Sequence, residues 1–290
     1  MTDTVNTITY ETTYEDILQD RLDHPTTWKE MCDVTITNTR VISSSYVSSG
    51  LSSVTTVTRG TGHDLTLYQE TANTLTISTG RDLGIFMDWG DLAQSPWSKP
   101  AEIFDRIGAL LNEFVESDVL GQHASWTDFD NASIGGGAGS ISVSASNIDD
   151  IIRGVKREVR EANGGSMMNQ KGLGFVWRAA DFEYLEAFVQ ANGFTTADEA
   201  LKEGTVEGLH YLGADHYWSN DHTAGHVFAA VKKVQRLGIL RGTYGRAHTI
   251  DFPASSENNF LSGQAFYSRI DIGHLVPTAH AGLTFDIIVA

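Results

Sequence analysis

The stretch from Thr35 to Thr79, "TITNTRVISSSYVSSGLSSVTTVTRGTGHDLTLYQETANTLTIST", constrains this chain more than any other. The sequence alternates in period two at Val34 and Ile36, again at Leu65 and Leu67, and again at Leu75 and Ile77, which is the pattern of β-strands. Arg59-Gly60-Thr61-Gly62 supplies turn chemistry between the pieces, so the segment predicts a long hairpin. Serine and threonine dominate it so heavily that it cannot build a core, and an isolated two-stranded ribbon is marginal in water. Such a ribbon either stands in solvent or lies on a neighbour, and its open edges invite pairing with another chain.

The preceding segment makes the same demand. Tyr14 to Leu22 predicts a short helix, with Thr13 as N-cap, Asp16 three residues on, and a stop at His24-Pro25. It is too short to be stable alone and reads as an arm that needs a surface to dock on.

The rest of the chain is patterned like a globular α+β protein. Ser95 caps a long helix, Pro96 takes its first position, and Ile103, Ile107, Leu110, Leu111, Phe114 and Val115 recur at three- and four-residue spacing to about Ser117. A second helix has Asn147 as cap, Asp149 and Asp150 in its first turn, Ile151, Ile152, Val155 and Val159 on its apolar face, and Lys156, Arg157 and Arg160 towards its end. Asn163-Gly164 stops it. A strand at Gly174 to Trp177 leads to a third helix with Phe182, Leu185, Phe188 and Val189 inward, ending at Asn192-Gly193. Thr196 to Glu199 is a capping box for a short fourth helix closed by Gly204. Strands follow at Val206 to Trp218, Val227 to Ile239, Phe266 to Ile272, and at the alternating Leu283, Phe285, Ile287 and Val289. Helices and strands mix without a regular βαβ rhythm, and no internal repeat is present.

The segment "DHYWSNDHTAGH" raises the question of a metal-dependent hydrolase using Asp215, His216, Asp221, His222 and His226. His222 and His226 have the spacing of two ligands on one helical face, but no glutamate adjoins the first histidine, and Gly225 argues for a turn. The plainer expectation is a polar loop, residues 220–225, with its histidines at a surface or subunit contact and His226 opening a strand. Gly135-Gly136-Gly137-Ala138-Gly139 lacks the Gly-Lys-Ser/Thr of a phosphate-binding loop and runs into alternating Ile141 and Val143. Cys32 has no nucleophile signature, although His24 and Asp33 are near in sequence. Glu183 and Glu186 read as a solvated helix face, and Trp177, Trp218, Tyr211 and Tyr217 as core or interface anchors. No catalytic, cofactor or metal residue is expected.

Charge narrows the classes further. With 20 basic against 37 acidic residues in 290, the formal charge is −17, which disfavours direct binding of nucleic acid and would limit sticking to it. The single cysteine, Cys32, excludes a disulfide framework and a multi-thiolate zinc site and fits a reducing cytoplasm. The opening residues show no basic-then-apolar signal pattern, and no apolar run reaches membrane-spanning length, so neither secretion nor embedding is expected.

From Gly172 to Gly245 the sequence resembles the later half of tailed-bacteriophage major capsid proteins. The resemblance rests on Phe175-Val176-Trp177-Arg178 leading into a helix, on the stretch from Gly208 to Asn220, and on His226-Val227-Phe228-Ala229 ahead of Leu237-Gly238-Ile239-Leu240. It implies the Hong Kong 97-like capsid fold: an N-terminal arm over 1–33, an extended β-loop over 34–80, and part of a peripheral domain with a spine helix over 81–145. An axial domain over 146–245 and closing strands of the peripheral domain over 246–290 complete it. It further implies assembly of many copies as hexamers and pentamers of an icosahedral head around double-stranded DNA. Portal and scaffolding partners, and in some cases a decoration protein, would accompany such a shell, which is built in the host cytoplasm. A non-viral encapsulin-type compartment of the same fold is the alternative container.

Overall fold

The computed structural model describes residues 26–49, 69–90, 99–129, 134, 139–191, 209–241, 247–253 and 262–290. The predicted arm helix, the Arg59–Gly62 turn, the Ser95-Pro96 start, Gly135 to Ala138, the Asn192-Gly193 stop and the Thr196–Gly204 helix lie outside them. The first half of the chain contains α1 (Thr27–Met31), β1 (Asp33–Thr37), β2 (Val41–Ser49), β3 (Gln69–Thr76), β4 (Thr79–Asp88), α2 (Lys99–Leu120) and β5 (Thr127–Asp128). Then come α3 (Ile148–Glu161), α4 (Gly165–Lys171), β6 (Leu173–Trp177), α5 (Ala179–Ala191), β7 (Leu209–Tyr211) and β8 (Ala214–Trp218). The last strands are β9 (His226–Val231), β10 (Arg236–Leu240), β11 (Ala247–Phe252), β12 (Gly263–Leu275) and β13 (Thr284–Ile288).

Three sheets result, and the class is α+β as expected. Strands β2 and β3 pair antiparallel with each other alone, from Val41 opposite Thr76 to Ser49 opposite Gln69. These are the described parts of the predicted ribbon; Leu65 and Leu67 lie outside the described residues. β1, which carries Val34 and Ile36, leaves it and runs parallel to β10, where Val34 packs on the core of that sheet and Ile36 stays exposed. A five-stranded sheet joins β1, β10, β12 and β11, with β4 on the other side of β12; a six-stranded sheet has the order β5-β13-β9-β6-β8-β7.

Each of the two larger sheets has its own core. Along α2, Ile107, Leu111, Val115 and Val119 recur every fourth residue and lie buried against Leu237, Ile239, Phe266, Ile270 and Ile272 of β10 and β12. Full burial of one such aliphatic side chain is worth about 1.5–3 kcal/mol, so this stripe holds the helix on the sheet. The helix continues past the expected Ser117 because Val119 and Leu120 are themselves buried. In the second core, Ile151, Ile152, Val155 and Val159 of α3 and Phe182, Leu185 and Val189 of α5 cover one face of the six-stranded sheet, as their spacing predicts. That face consists of Leu173, Phe175 and Trp177 on β6, Val227, Ala229 and Val231 on β9, and Phe285 and Ile287 on β13. The opposite face sends Val176, Phe228 and Ala230 towards Met31, Leu120 and Trp126, where the Phe228 ring stacks on Trp126 at 4.0 Å between centroids. All five residues of β6 are therefore buried.

Two segments read as single strands are in fact pairs of strands. The stretch ending at Trp218 is a hairpin, β7–β8, turning through Leu212 (φ 52°) and Gly213 (φ 66°), as a two-residue turn between twisted strands requires. Leu212 is held in this unusual conformation for a side chain by its carbonyl, which accepts a hydrogen bond from Lys156 Nζ. The stretch from Val227 to Ile239 is broken by residues 232–235 and serves both large sheets, β9 lying in the six-stranded one and β10 in the five-stranded one. The link is pinned throughout. Lys232 N–H donates to the Gly172 carbonyl (3.0 Å), Lys233 N–H to Met31 (2.8 Å), Asp33 N–H to Gln235 (2.8 Å), and Trp126 Nε1–H to Gln235 Oε1 (3.0 Å).

Helix α4 and strands β4, β5 and β11 were not legible in the sequence. β4 pairs with β12 along ten residues, from Gly263 opposite Asp88 to Ile272 opposite Thr79.

Candidate functional site

The foot of the ribbon is built onto the five-stranded sheet. Gly238 of β10 and Gly273 of β12 are paired, and a Cβ at either position would collide with the ribbon: at Gly238 it would meet Leu75 at 2.5 Å, and at Gly273 it would overlap the Thr76 carbonyl. Ile77 and Leu75 are buried on this bare patch, and Arg236 Nη1 donates to Ser44 Oγ at 2.9 Å. Beneath the ribbon's base the Asp271 carboxylate is 4% exposed and accepts hydrogen bonds from Arg269, with Arg40 at 3.9 Å. Away from this foot, β2 and β3 pair, among the described residues, with no strand but each other.

The histidine-rich segment does not assemble as a metal site. Asp215 lies on β8 and pairs with Lys232 and with His210 Nδ1 (2.6 Å); these partners hold its carboxyl below the usual range against the opposing effect of burial. His216 lies inside the protein, not at a surface. Its Nδ1 accepts from Trp177 Nε1 (3.1 Å) and its Nε2–H donates to the Tyr211 carbonyl (3.3 Å), which fixes a neutral ring, and burial lowers its pKa to about 4. His222 is also buried, donating from Nε2 to the Val176 carbonyl (2.9 Å), with its pKa lowered by burial to about 3. His222, in the polar loop over 220–225, was expected at a surface or subunit contact. The protein holds both inside, His216 on β8 bonded to the Tyr211 carbonyl and His222 bonded to the Val176 carbonyl.

His226 alone of that set joins a potential ligand group, whose other members come from far away in sequence. Its Nδ1 lies 2.8 and 3.0 Å from the two carboxylate oxygens of Asp286, and its ring stacks on His123 at 3.9 Å and 21°. Among the described residues, His123, His226 and Asp286 place one ligand atom each within 4.8 Å of one another. Burial, first, pushes the Asp286 carboxyl upward, and His226 opposes it.

A further polar hub holds α1 to α2. Glu116, buried on α2, accepts from Trp28 N–H (3.0 Å) and from the Thr27 hydroxyl. Burial raises its pKa to about 7 against the pull of these donors. Cys32 is fully buried, and burial together with the Glu116 charge pushes its thiol up to about 12, far from a nucleophile. Glu183 and Glu186 are exposed on α5, as expected for a solvated face. Trp177 and Tyr211 are buried, and Tyr217 and Trp218 pack on the cores. A cavity of about 510 Å³ opens beside Thr127, Arg157, Glu161 and Phe285, apart from every histidine of the cluster. Among the described residues, no helix is long and apolar enough to cross a membrane.

No protein-family model matches the chain, and no curated protein matches it in sequence. Solved structures do match, and over nearly all of its length. A chain of the capsid of a native GTA particle superimposes with a TM-score of 0.65 at 11% identity, covering 98% of each chain. A chain from the capsid of cyanophage P-SCSP1u gives 0.61 at 11% identity, with 97% of this chain and 93% of that one covered. The mature capsid of bacteriophage PhiM1 gives 0.59 at 14% identity, with 90% and 85% covered. The fold is that of phage capsid subunits.

Proposed function

We propose that this chain is the major capsid protein of a tailed bacteriophage, a Hong Kong 97-like subunit whose work is assembly. Many copies form hexamers and pentamers, close into an icosahedral head, and enclose double-stranded DNA without reading its sequence. The observation that carries this reading is the end-to-end likeness to capsid subunits, with ribbon and long helix included. The ribbon supports it physically: a two-stranded element with so few apolar residues is marginal alone and gains stability from a second surface, here a neighbouring copy. The formal charge of −17 is consistent with an interior wall that holds DNA without binding it.

In this reading residues 1–33 are the arm and 34–80 the β-loop. Residues 81–145 with the closing strands of 246–290 form the peripheral domain, and 146–245 form the axial domain. Portal and scaffolding proteins, and in some heads a decoration protein, are the expected partners, and the location is the virion after assembly in the host cytoplasm. The chain carries no catalytic role. In the 215–226 segment His216 and His222 bond backbone carbonyls and His226 bonds Asp286, and the one thiol is buried.

Light scattering and electron microscopy of the same fraction test the proposal. Expected are hollow shells of megadalton mass, formed by the chain alone or with its scaffold. Only small oligomers under both conditions would overturn it.

A further inference from the structure

We propose that His123, His226 and Asp286 form a binding site for one transition-metal dication of the zinc class, which staples the end of α2 to strands β9 and β13. The three residues are fixed by independent elements. His123 opens the short 3-10 turn His123–Ser125 that follows α2, His226 opens β9, and Asp286 lies on β13 two residues from Ile288, the register partner of His226. Positions two apart on a strand share a face, so the Asp286 and His226 side chains meet on one side of the sheet.

The spacing suits a shared ion. Two ligands about 2.1 Å from a tetrahedral metal stand about 3.4 Å apart, so a hydrogen-bonded pair needs to part by only about half an ångström to share one. The Nδ1–carboxylate separations in the protein are 2.8 and 3.0 Å. Binding moves the ring proton of His226 from Nδ1 to Nε2, leaving the same two groups facing the metal in place of their hydrogen bond. His123, with a ring nitrogen within 4.8 Å of the other two ligand atoms, supplies the third donor once its ring turns out of the stack with His226.

Local charge favours a cation. Asp128 of β5 is the register partner of Asp286, so a second carboxylate sits on the same face beside the first. The Asp286 side chain is only 4% exposed, and an unpaired carboxylate there is costly. Two imidazoles and one carboxylate form a borderline donor set that suits Zn²⁺ or Co²⁺ better than the all-oxygen cages of Ca²⁺ and Mg²⁺. Three protein ligands leave a fourth position to water. The site stands on this geometry and does not depend on the proposed shell function.

The test uses the full-length chain stripped with chelator. Co²⁺ titration followed by visible absorption should show ligand-field bands that saturate at one ion per chain, and Zn²⁺ should displace them. His123→Ala and Asp286→Asn should each weaken Zn²⁺ binding by at least about tenfold in calorimetry, while His210→Ala, at an exposed histidine outside the group, should bind like wild type. Wild-type protein with no Co²⁺ bands beyond those of the aqua ion would overturn the site. So would variants that titrate like wild type, or binding lost only in His210→Ala. Should the variants fail to fold, the wild-type spectrum and the rise of its melting temperature with Zn²⁺ decide: bands and a rise support the site, and the absence of either refutes it.

Discussion

Gly238 and Gly273 stand opposite one another in the pairing of β10 with β12, and the foot of the ribbon lies on the bare patch between them. Gly273→Val should force the Thr76 backbone away, because the obstacle is a carbonyl and not a side-chain tip that can swing aside. The expected loss is about 1–3 kcal/mol in urea denaturation, with a lower yield of assembled particles.

Excising the outer ribbon separates folding from assembly. Ser45 and Ala72 are register partners, so joining them through a short Gly-Ser turn keeps the foot at Ile42, Leu75 and Ile77. The shortened chain should unfold cooperatively at nearly the wild-type denaturant midpoint and form no shells by electron microscopy. Normal shells would remove the ribbon from the assembly mechanism.

Glu116 makes stability depend on pH in a direction opposite to most carboxylates. Its folded pKa is raised from 4.5 to about 7, so between these values the folded chain holds a proton that the unfolded chain has lost. This contribution is fully present below pH 4.5 and is lost as pH rises through about 7. Wild type minus Glu116→Gln, measured by denaturation across that window, should fall with rising pH by about 1 kcal/mol per unit.

The buried histidines act the other way. His216 and His222 have pKa values lowered from 6.5 to about 4 and about 3, so on acidification below 6.5 the unfolded chain takes up protons that the folded chain refuses. Stability is full above 6.5 and falls as pH drops towards these folded values. Replacing His222 by Gln, which can still donate to the Val176 carbonyl, should reduce that acid sensitivity by about 1 kcal/mol per pH unit.

Phe228 carries the contact between the two cores. It is fully buried and stacked on Trp126, so Phe228→Ala should cost about 3–5 kcal/mol in denaturant unfolding. Tyr184→Ala, at an exposed residue of α5, should stay close to wild type in the same experiment.

The helices were legible because one stripe of residues does one job: Ile151, Ile152, Val155 and Val159 read as an apolar face and bury as one. The ribbon was legible for the opposite reason, its lack of apolar residues. β4 and β11 were hidden because their alternation is weak, with Ile85, Phe86 and Ile250 left more than a third exposed and the pairing with β12 doing most of the work. The break at residues 232–235 could not be seen, since both flanking segments are apolar and only Lys233, at φ 58°, marks the turn. The candidate site was legible only at His226. His123 and Asp286 are 103 and 60 positions away from it, and no local spacing rule reaches that far.

The pinned link between β9 and β10 has a mechanical meaning. Its four residues join a central strand of one sheet to a strand of the other, and its backbone and Gln235 side chain are tied to α1, β1, Trp126 and the start of β6. Rotating one sheet against the other would break that set of hydrogen bonds together. The described body of the subunit is thus a bracket and not a hinge. In the shell proposed above, deformation would therefore fall on the contacts between copies and not within this body.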